Sequence, residues 1–209
     1  MSTVKLNNIE KNDKENILVI LTNIVKMINN RGLVDDYEKT LKDIMNQFKN
    51  KDEKVYEIKT KKNMENIYIK FVNGKLTTIR KIPNIDEFFV NGKNKKKLIV
   101  VKDINQKAYK QFMEYKDTEV FWEKNLKINL VDHEIVPEHI LMSEKEKEEF
   151  LKSTGIKKKD MSKINVTDPV SRYYNAKVGD IFKIIRASVT SGYSTHYRLV
   201  KNSSLFNDK

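Results

Sequence analysis

Residues 98–122, LIVVKDINQKAYKQFMEYKDTEVFW, decide how the first half of the chain folds. Leu98-Ile99-Val100-Val101 is a continuous apolar run, too short for a helix and rich in β-branched side chains, so it reads as a strand buried on both faces. Asp103-Ile104-Asn105 punctuates the chain, and Ala108, Phe112 and Tyr115 then follow on a helical pattern. From Glu119 to Trp122 the pattern is extended again. Strand, helix and strand in succession make an α/β passage.

Working outward from that stretch, Ile17, Leu21, Ile24 and Ile28 space a helix over Asn16 to Asn30, and Arg31-Gly32 ends it with a glycine suited to a left-handed position. A second helix starts after Asp35 and is expected to bury Tyr37, Leu41, Ile44, Met45 and Phe48. The period then falls to two. Ile67, Ile69 and Phe71 alternate with more polar residues, Asn73-Gly74 predicts a type I′ turn, and Leu76 to Ile82 returns as its partner strand. Leu126 to Leu130 is read as another extended segment. These elements predict an α/β domain over residues 1–132, a helix pair plus a mixed sheet.

Residues 133–209 read as a smaller α+β domain. Ser143-Glu144-Lys145-Glu146 is a capping box opening a helix to about Lys152. Asp168-Pro169 places an N-cap before a first-turn proline and starts a short helix through Tyr174. Phe182 to Arg186 and Tyr197 to Val200 are expected as strands of a hairpin turning through Ser191-Gly192.

Composition narrows the function classes. The net charge is +12, with 39% hydrophobic residues, which is enough for a core and points to an anionic partner. Of the 41 cations only Arg31, Arg80, Arg172, Arg186 and Arg198 are arginine, the residue suited to fixed bidentate contacts. Residues 1–132 hold 27 Lys and Arg against 19 Asp and Glu, and residues 133–209 hold 14 against 10, so the first domain is the better place for nucleic acid. There is no cysteine, hence no disulfide or thiolate site. Met1-Ser2-Thr3-Val4-Lys5 has no apolar signal core, and no apolar run reaches the ~20 residues that span a bilayer. A soluble intracellular protein without membrane contact is expected.

Catalytic chemistry finds no foothold. His133 and His139 flank Glu134 and Glu138, but Pro137 prevents the single helical face that a zinc motif needs. No phosphate-cradling glycine loop and no nucleophile elbow is present. Glu57, Asp86 and Glu87 with nearby lysines could imitate a nuclease, but they lack the compact carboxylate spacing of that chemistry. No catalytic residue, metal, cofactor or small-molecule substrate is expected.

The last third carries a specific pattern. Asn129-Leu130-Val131-Asp132-His133-Glu134-Ile135-Val136-Pro137-Glu138-His139 is followed by Asp168-Pro169-Val170-Ser171-Arg172-Tyr173, Val178-Gly179-Asp180, Lys183-Ile184-Ile185-Arg186, Ser188, Thr190-Ser191-Gly192 and Tyr197-Arg198-Leu199-Val200. In this order and spacing they resemble the C-terminal assembly domain of the fifth common subunit of eukaryotic-type DNA-dependent RNA polymerases, a module shared with archaeal RNA polymerases. The N-terminal part is more loosely similar to the eukaryotic jaw domain, through the helix ending in Arg31-Gly32, the strand Leu98 to Val101, and Val120-Phe121-Trp122-Glu123. Ala187, Asn175, Val178 and Met161-Ser162-Lys163-Ile164 depart from the family pattern. They mark a divergent member, with large DNA viruses a candidate source.

The resemblance implies a non-catalytic subunit of a multisubunit polymerase. Its C-terminal domain would anchor on the largest subunit, with His139, Arg172, Tyr173, Arg186, Tyr197 and Arg198 as interface candidates. Its N-terminal domain would form part of the lower jaw, touching phosphates of downstream duplex DNA. The loop Asn105-Gln106-Lys107 is the DNA-side candidate, although the family's Thr-Pro is absent there, and Lys93, Lys95, Lys96 and Lys97 are added on charge alone. The protein would work in the nucleus if cellular, or in a cytoplasmic viral factory or virion if virus-encoded. The alternative is a free-standing basic nucleic-acid-binding protein.

Overall fold

The structure, a computed structural model, describes residues 13–50, 55–62, 64–91, 95–188, 190 and 192–203. Met1 to Lys5, Lys93 and Ser191 lie outside the described residues. The chain divides into two compact units, 1–128 and 129–209, a boundary four residues before the one expected. The short 3-10 turn Leu130–Asp132 belongs to the second unit, where Asn129 Nδ2 donates to Asp132 Oδ2 at 2.7 Å.

The first unit is built around a four-stranded sheet in the order β1 (Val55–Ile58), β2 (Ile67–Leu76), β3 (Lys96–Ile104), β4 (Thr118–Trp122). The pairing of β1 with β2 is antiparallel, whereas β2, β3 and β4 run parallel. Parallel neighbours need crossovers, and α3 (Ile85–Asn91) and α4 (Gln106–Met113) supply them. Both pack on one face, where Phe88, Phe89, Ala108 and Phe112 meet Val72, Ile99, Val101 and Val120. On the opposite face Phe48 of α2 (Tyr37–Asn50) stacks on Tyr56, which meets Phe71 edge-on. The preceding helix α1 (Asp13–Asn30) packs against α2, and its Asn23 donates to the Leu126 carbonyl at 2.7 Å. Leu98 to Val101 is buried on both sides, as the apolar run predicts.

Three expectations are corrected. Asn73-Gly74 is not a hairpin turn. Val72 lies opposite Val101 and Lys75 opposite Asp103, three steps on β2 against two on β3, so the pair is a bulge inside one continuous strand. Gly74, at φ +83°, supplies the left-handed step the extra residue needs. Leu76 to Ile82 is accordingly not a partner strand: β2 stops at Leu76 and Ile79–Lys81 is a 3-10 turn. The helix α3 comes next, its Ile85, Phe88 and Phe89 buried at helical spacing. Leu126 to Leu130 is not extended either. Glu123–Leu126 is a single helical turn, α5, and Leu130 opens the 3-10 turn.

The second unit has its own sheet, in the order β5 (Glu138–Leu141), β7 (Ile181–Ser188), β8 (Gly192–Lys201), β6 (Ser162–Asn165). The central hairpin is antiparallel and matches the predicted strands, with β6 running parallel to β8 at one edge. The short edge strands bury one side chain each, His139 and Ile164, too little periodicity to announce themselves in the sequence. Helix α6 (Glu144–Thr154) begins with the complete capping box and ends at Gly155 in the left-handed conformation. Helix α7 (Pro169–Tyr173) is capped by Asp168, whose Oδ1 accepts from the Val170 amide at 2.9 Å. Asn175 sits at φ +52°, which asparagine tolerates better than other non-glycine residues.

Each unit holds a largely buried cation in ion pairs. Arg31 donates from both terminal nitrogens to Glu119 at 2.8 Å, with side chains 6% and 24% exposed, linking the end of α1 to β4. In the second unit the Lys147 ammonium meets Glu144 at 2.6 Å and Asp180 at 2.9 Å, and Asp180 also accepts the Lys177 amide at 2.7 Å. Substituting Arg31→Ala strands the Glu119 carboxylate in a partly dry site. It is expected to cost about 1.5–3 kcal/mol, the range for hydrogen bonds to charged groups, read as a lower midpoint in urea at unchanged slope.

Candidate functional site

The second unit carries an open groove of about 800 Å³. Its lining includes four residues singled out in the sequence: His139, Arg186, Tyr197 and Arg198. His139, Arg186 and Arg198 share one face because the register sets Ile184 across from both His139 and His196, Phe182 from Arg198, and Arg186 from Ser194, while Tyr197 reaches the groove from the other face. Phe182, Ile184 and Val200 cover the core with Ile164 and Ala176, and farther along the same face the side chains become polar. His139 is buried edge-on against Phe182, and its Nδ1 donates to the Pro137 carbonyl at 2.6 Å, which fixes the ring. Tyr197 stacks on Phe150 of α6 at 4.0 Å between centroids. Ile135 and Ile156 add exposed apolar surface to the rim, Ile135 at 84% exposure.

Arg186 and Arg198 are exposed and make no ion pair among the described residues. The carboxylates in the lining are Asp160 and Asp168, and Asp168 already caps α7. Two guanidinium groups held on a rigid hairpin beside apolar surface can grip carboxylates of a partner chain. Arg172 and Tyr173 are placed differently. Both lie on α7 outside the groove lining, Tyr173 buried and in edge contact with Tyr174.

In the first unit the structure separates the DNA-side candidates into two groups at opposite ends of β3. Lys95, Lys96 and Lys97 stand at its beginning, while Asn105, Gln106 and Lys107 follow its end, about 26 Å away along an extended strand. The lysine group is largely structural. Lys97 is 6% exposed, its ammonium donates to the Lys95 carbonyl at 2.8 Å, and burial holds its pKa below the usual lysine value. Lys95 donates to Tyr68 Oη at 2.7 Å. Asn105 is the N-cap of α4, accepting from the Ala108 amide at 2.8 Å. Lys107 is exposed on the first turn of that helix.

Sequence reasoning missed the polar cluster beneath those lysines. Glu57 Oε1 accepts from Tyr68 Oη at 2.8 Å and from Asn66 Nδ2 at 2.9 Å. A carboxylate already bonded in this way is poorly placed for a nuclease role, and Asp86 and Glu87 sit exposed in the first turn of α3. Lys70, 9% exposed on the same sheet face, lies 5.4 Å from the centre of the Phe88 ring. The signal for this cluster was alternation: Glu57, Tyr68 and Lys70 fall on one face of adjacent strands.

Comparisons with known proteins add independent observations. The family described as RNA polymerase Rpb5, C-terminal domain, matches residues 128–200. The chain is 34% identical over 197 residues to DNA-directed RNA polymerase subunit 5 of Acanthamoeba polyphaga mimivirus, covering 92% of this chain and 95% of the relative. It is 48% identical over 75 residues to subunit Rpo5 of Archaeoglobus fulgidus, which covers 36% of this chain and 99% of that protein. Subunit RPABC1 of RNA polymerases I, II and III from Caenorhabditis elegans is 43% identical over 82 residues, 39% of each chain.

The Glu57 cluster makes stability depend on pH in a stated direction. Burial works to raise the Glu57 pKa, and the bonds from Tyr68 and Asn66 with the charges of Lys95 and Lys59 outweigh it, leaving it below its ordinary 4.5. A depressed folded value means stability that is present above 4.5 and lost as pH falls through the folded pKa. Tyr68→Phe removes one of those bonds, so the variant is expected to lose less stability than the parent on titration from pH 5 to 3, measured by urea midpoints across that range.

Proposed function

The chain belongs to the subunit 5 family of DNA-directed RNA polymerases, and from that premise we propose that it is a non-catalytic subunit whose second unit anchors it in the enzyme. The first unit acts as part of the lower jaw, meeting phosphates of the downstream duplex. The observation that carries the reading is the match over nearly the whole chain to a viral polymerase subunit 5, with the family's C-terminal domain falling on the unit that holds the groove. The groove suits an anchor: two exposed arginines without an ion pair among the described residues, a fixed histidine and an apolar rim favour a protein surface bearing carboxylates. The largest polymerase subunit is the partner we assign to it. Catalysis then resides in other subunits of the complex.

Of the lysines chosen on charge, Lys95 and Lys97 are held by local bonds, so the jaw contact is assigned to Lys107 with Asn105 and Gln106, and Lys96 is kept as a secondary cation. A phosphate contact is sequence-independent and salt-sensitive. The site of action is wherever that polymerase transcribes: the nucleus of a cell, or a viral factory or virion for a virus-encoded enzyme. The net charge of +12 alone would also suit a free-standing nucleic-acid-binding protein. Affinity purification separates the two readings, since recovery without the large polymerase subunits would overturn the subunit reading.

Two outcomes are expected in a reconstituted polymerase. Reversing both groove charges, Arg186→Glu with Arg198→Glu, should lower incorporation of this subunit at least about tenfold, or ~1.4 kcal/mol, in quantitative pull-down. Neutralising Lys107→Gln should leave incorporation intact and flatten the dependence of downstream-DNA affinity on salt by about 0.9 in log-log slope if one phosphate contact is lost. An unchanged slope would reject Lys107 as a DNA contact.

A further inference from the structure

The central hairpin is longer than the strands that flank it. The strands β7 and β8 pair from Ile181 opposite Leu199 to Ser188 opposite Gly192. On its far side β8 is paired with β6 only from Arg198 to Lys201. Ser194 to His196 therefore has no strand on that side among the described residues. The direction of the backbone groups follows from bonds at the base of the hairpin. The Val200 amide donates to Asp180 and its carbonyl accepts from Gly179, at 2.8 and 2.9 Å, toward the β7 side, while the Lys201 carbonyl accepts from Val166 at 2.9 Å toward the β6 side. Alternation along a strand then turns the N–H and C=O of Thr195 and Tyr197 outward, and those of Ser194 and His196 inward to β7. The register of β6 gives the Tyr197 carbonyl to the Ser162 amide, so the open groups are the N–H and C=O of Thr195 and the N–H of Tyr197.

The groove wraps this edge. Its lining takes Arg186, His196 and Arg198 from one face of the sheet and Thr195, Tyr197 and the Tyr197-stacked Phe150 from the other. The groove thus runs from the face that carries His139 and Ile184 round the edge of β8 to Tyr197 and Phe150. Exposed edges of this kind pair readily with another chain.

We infer that the groove seats an extended strand of a partner polymerase subunit, hydrogen-bonded to the open edge of β8 at Thr195 and Tyr197 and carrying carboxylates that meet Arg198 and Arg186. Charge selects that occupant. Side chains of an added strand alternate, so one set faces Arg198, His196 and Arg186 while the other lies along Tyr197 and Phe150. An acidic residue in the first set and an apolar one in the second satisfy both. This inference rests on the reading of the second unit as the anchor and adds how the anchor grips.

The test compares backbone and side-chain variants in a polymerase reconstituted with the full chain. Thr195→Pro deletes an outward N–H and leaves the β7 ladder whole, whereas Ser194→Pro breaks that ladder and reports the cost of damaging the fold. Thr195→Pro is expected to lower incorporation at least tenfold with an unchanged circular dichroism spectrum. If Thr195→Pro proves unable to fold, hydrogen exchange on the unmodified chain decides. The Thr195 and Tyr197 amides should exchange rapidly in the free protein and become protected on assembly. Continued rapid exchange in the assembled enzyme overturns strand addition. Where the arginine reversals weaken incorporation but the Tyr197 and Thr195 amides stay unprotected, the anchor reading survives and strand pairing is wrong. Where incorporation is indifferent to the arginine reversals, the groove is not the anchor. Amides protected by free duplex DNA instead would assign the arginines to phosphate, and amides already protected in the free chain but exposed by deleting residues 204–209 would make the chain's own end the occupant; either result overturns the inference.

Discussion

Burial of Leu98 to Val101 on both sides is the constraint that shapes the first unit. A strand with no polar face cannot lie at the surface of a sheet, so β2 and β4 must take up its backbone groups and helices must cover both faces. Because both neighbours run parallel to β3, each connection has to cross the sheet, and α3 and α4 are those crossings. They occupy the face of Ile99 and Val101, leaving Leu98 and Val100 to the side of α1 and α2. Arg31 then fixes how that second layer ends, since its guanidinium finds both carboxylate oxygens of Glu119 on the neighbouring strand.

The apolar run was legible because burial on both sides removes any alternation and leaves a contiguous signal. Helices α1, α2, α4 and α6 were legible through spacing and caps, and Asp168-Pro169 located the start of α7 to the residue. The Asn73-Gly74 pair misled for a physical reason. The same left-handed freedom that makes glycine a turn former also serves a bulge, and the residues downstream make the choice. Here Ile85, Phe88 and Phe89 demanded a helix against Val72 and Val101, so the chain continued into a crossover and did not fold back. The edge strands β1, β5 and β6 were invisible because a four-residue strand that buries one or two side chains carries almost no periodic information.

Which of the candidate residues share a groove was legible in proportion to how rigidly their element is specified. Arg186, Tyr197 and Arg198 lie on the best-patterned hairpin of the second unit, and they arrive in one groove together with His139. Charge density alone marks the lysines, and it does not distinguish a cation facing solvent from one folded back on its own sheet. Lys97 shows the difference: it alternates inward with Ile99 and Val101, so its ammonium turns to the Lys95 carbonyl.

That contrast bears on how a chain of +12 charge divides its cations. Lysine bends its flexible stem to reach a nearby carbonyl, hydroxyl or carboxylate, so it can be absorbed locally, as Lys95, Lys97 and Lys147 are. Arginine presents a planar fork whose donors need a matching acceptor plane, and it is worth fixing only where such a plane is supplied. Arg31 has its plane within the fold, in Glu119. Arg186 and Arg198 stand on strands whose backbone is held by the hairpin ladder and by β6, with no ion pair to either among the described residues. Under the anchoring we propose, these are the donors offered to a partner's carboxylates, and the open edge of β8 at Thr195 is the backbone offered to a partner's strand.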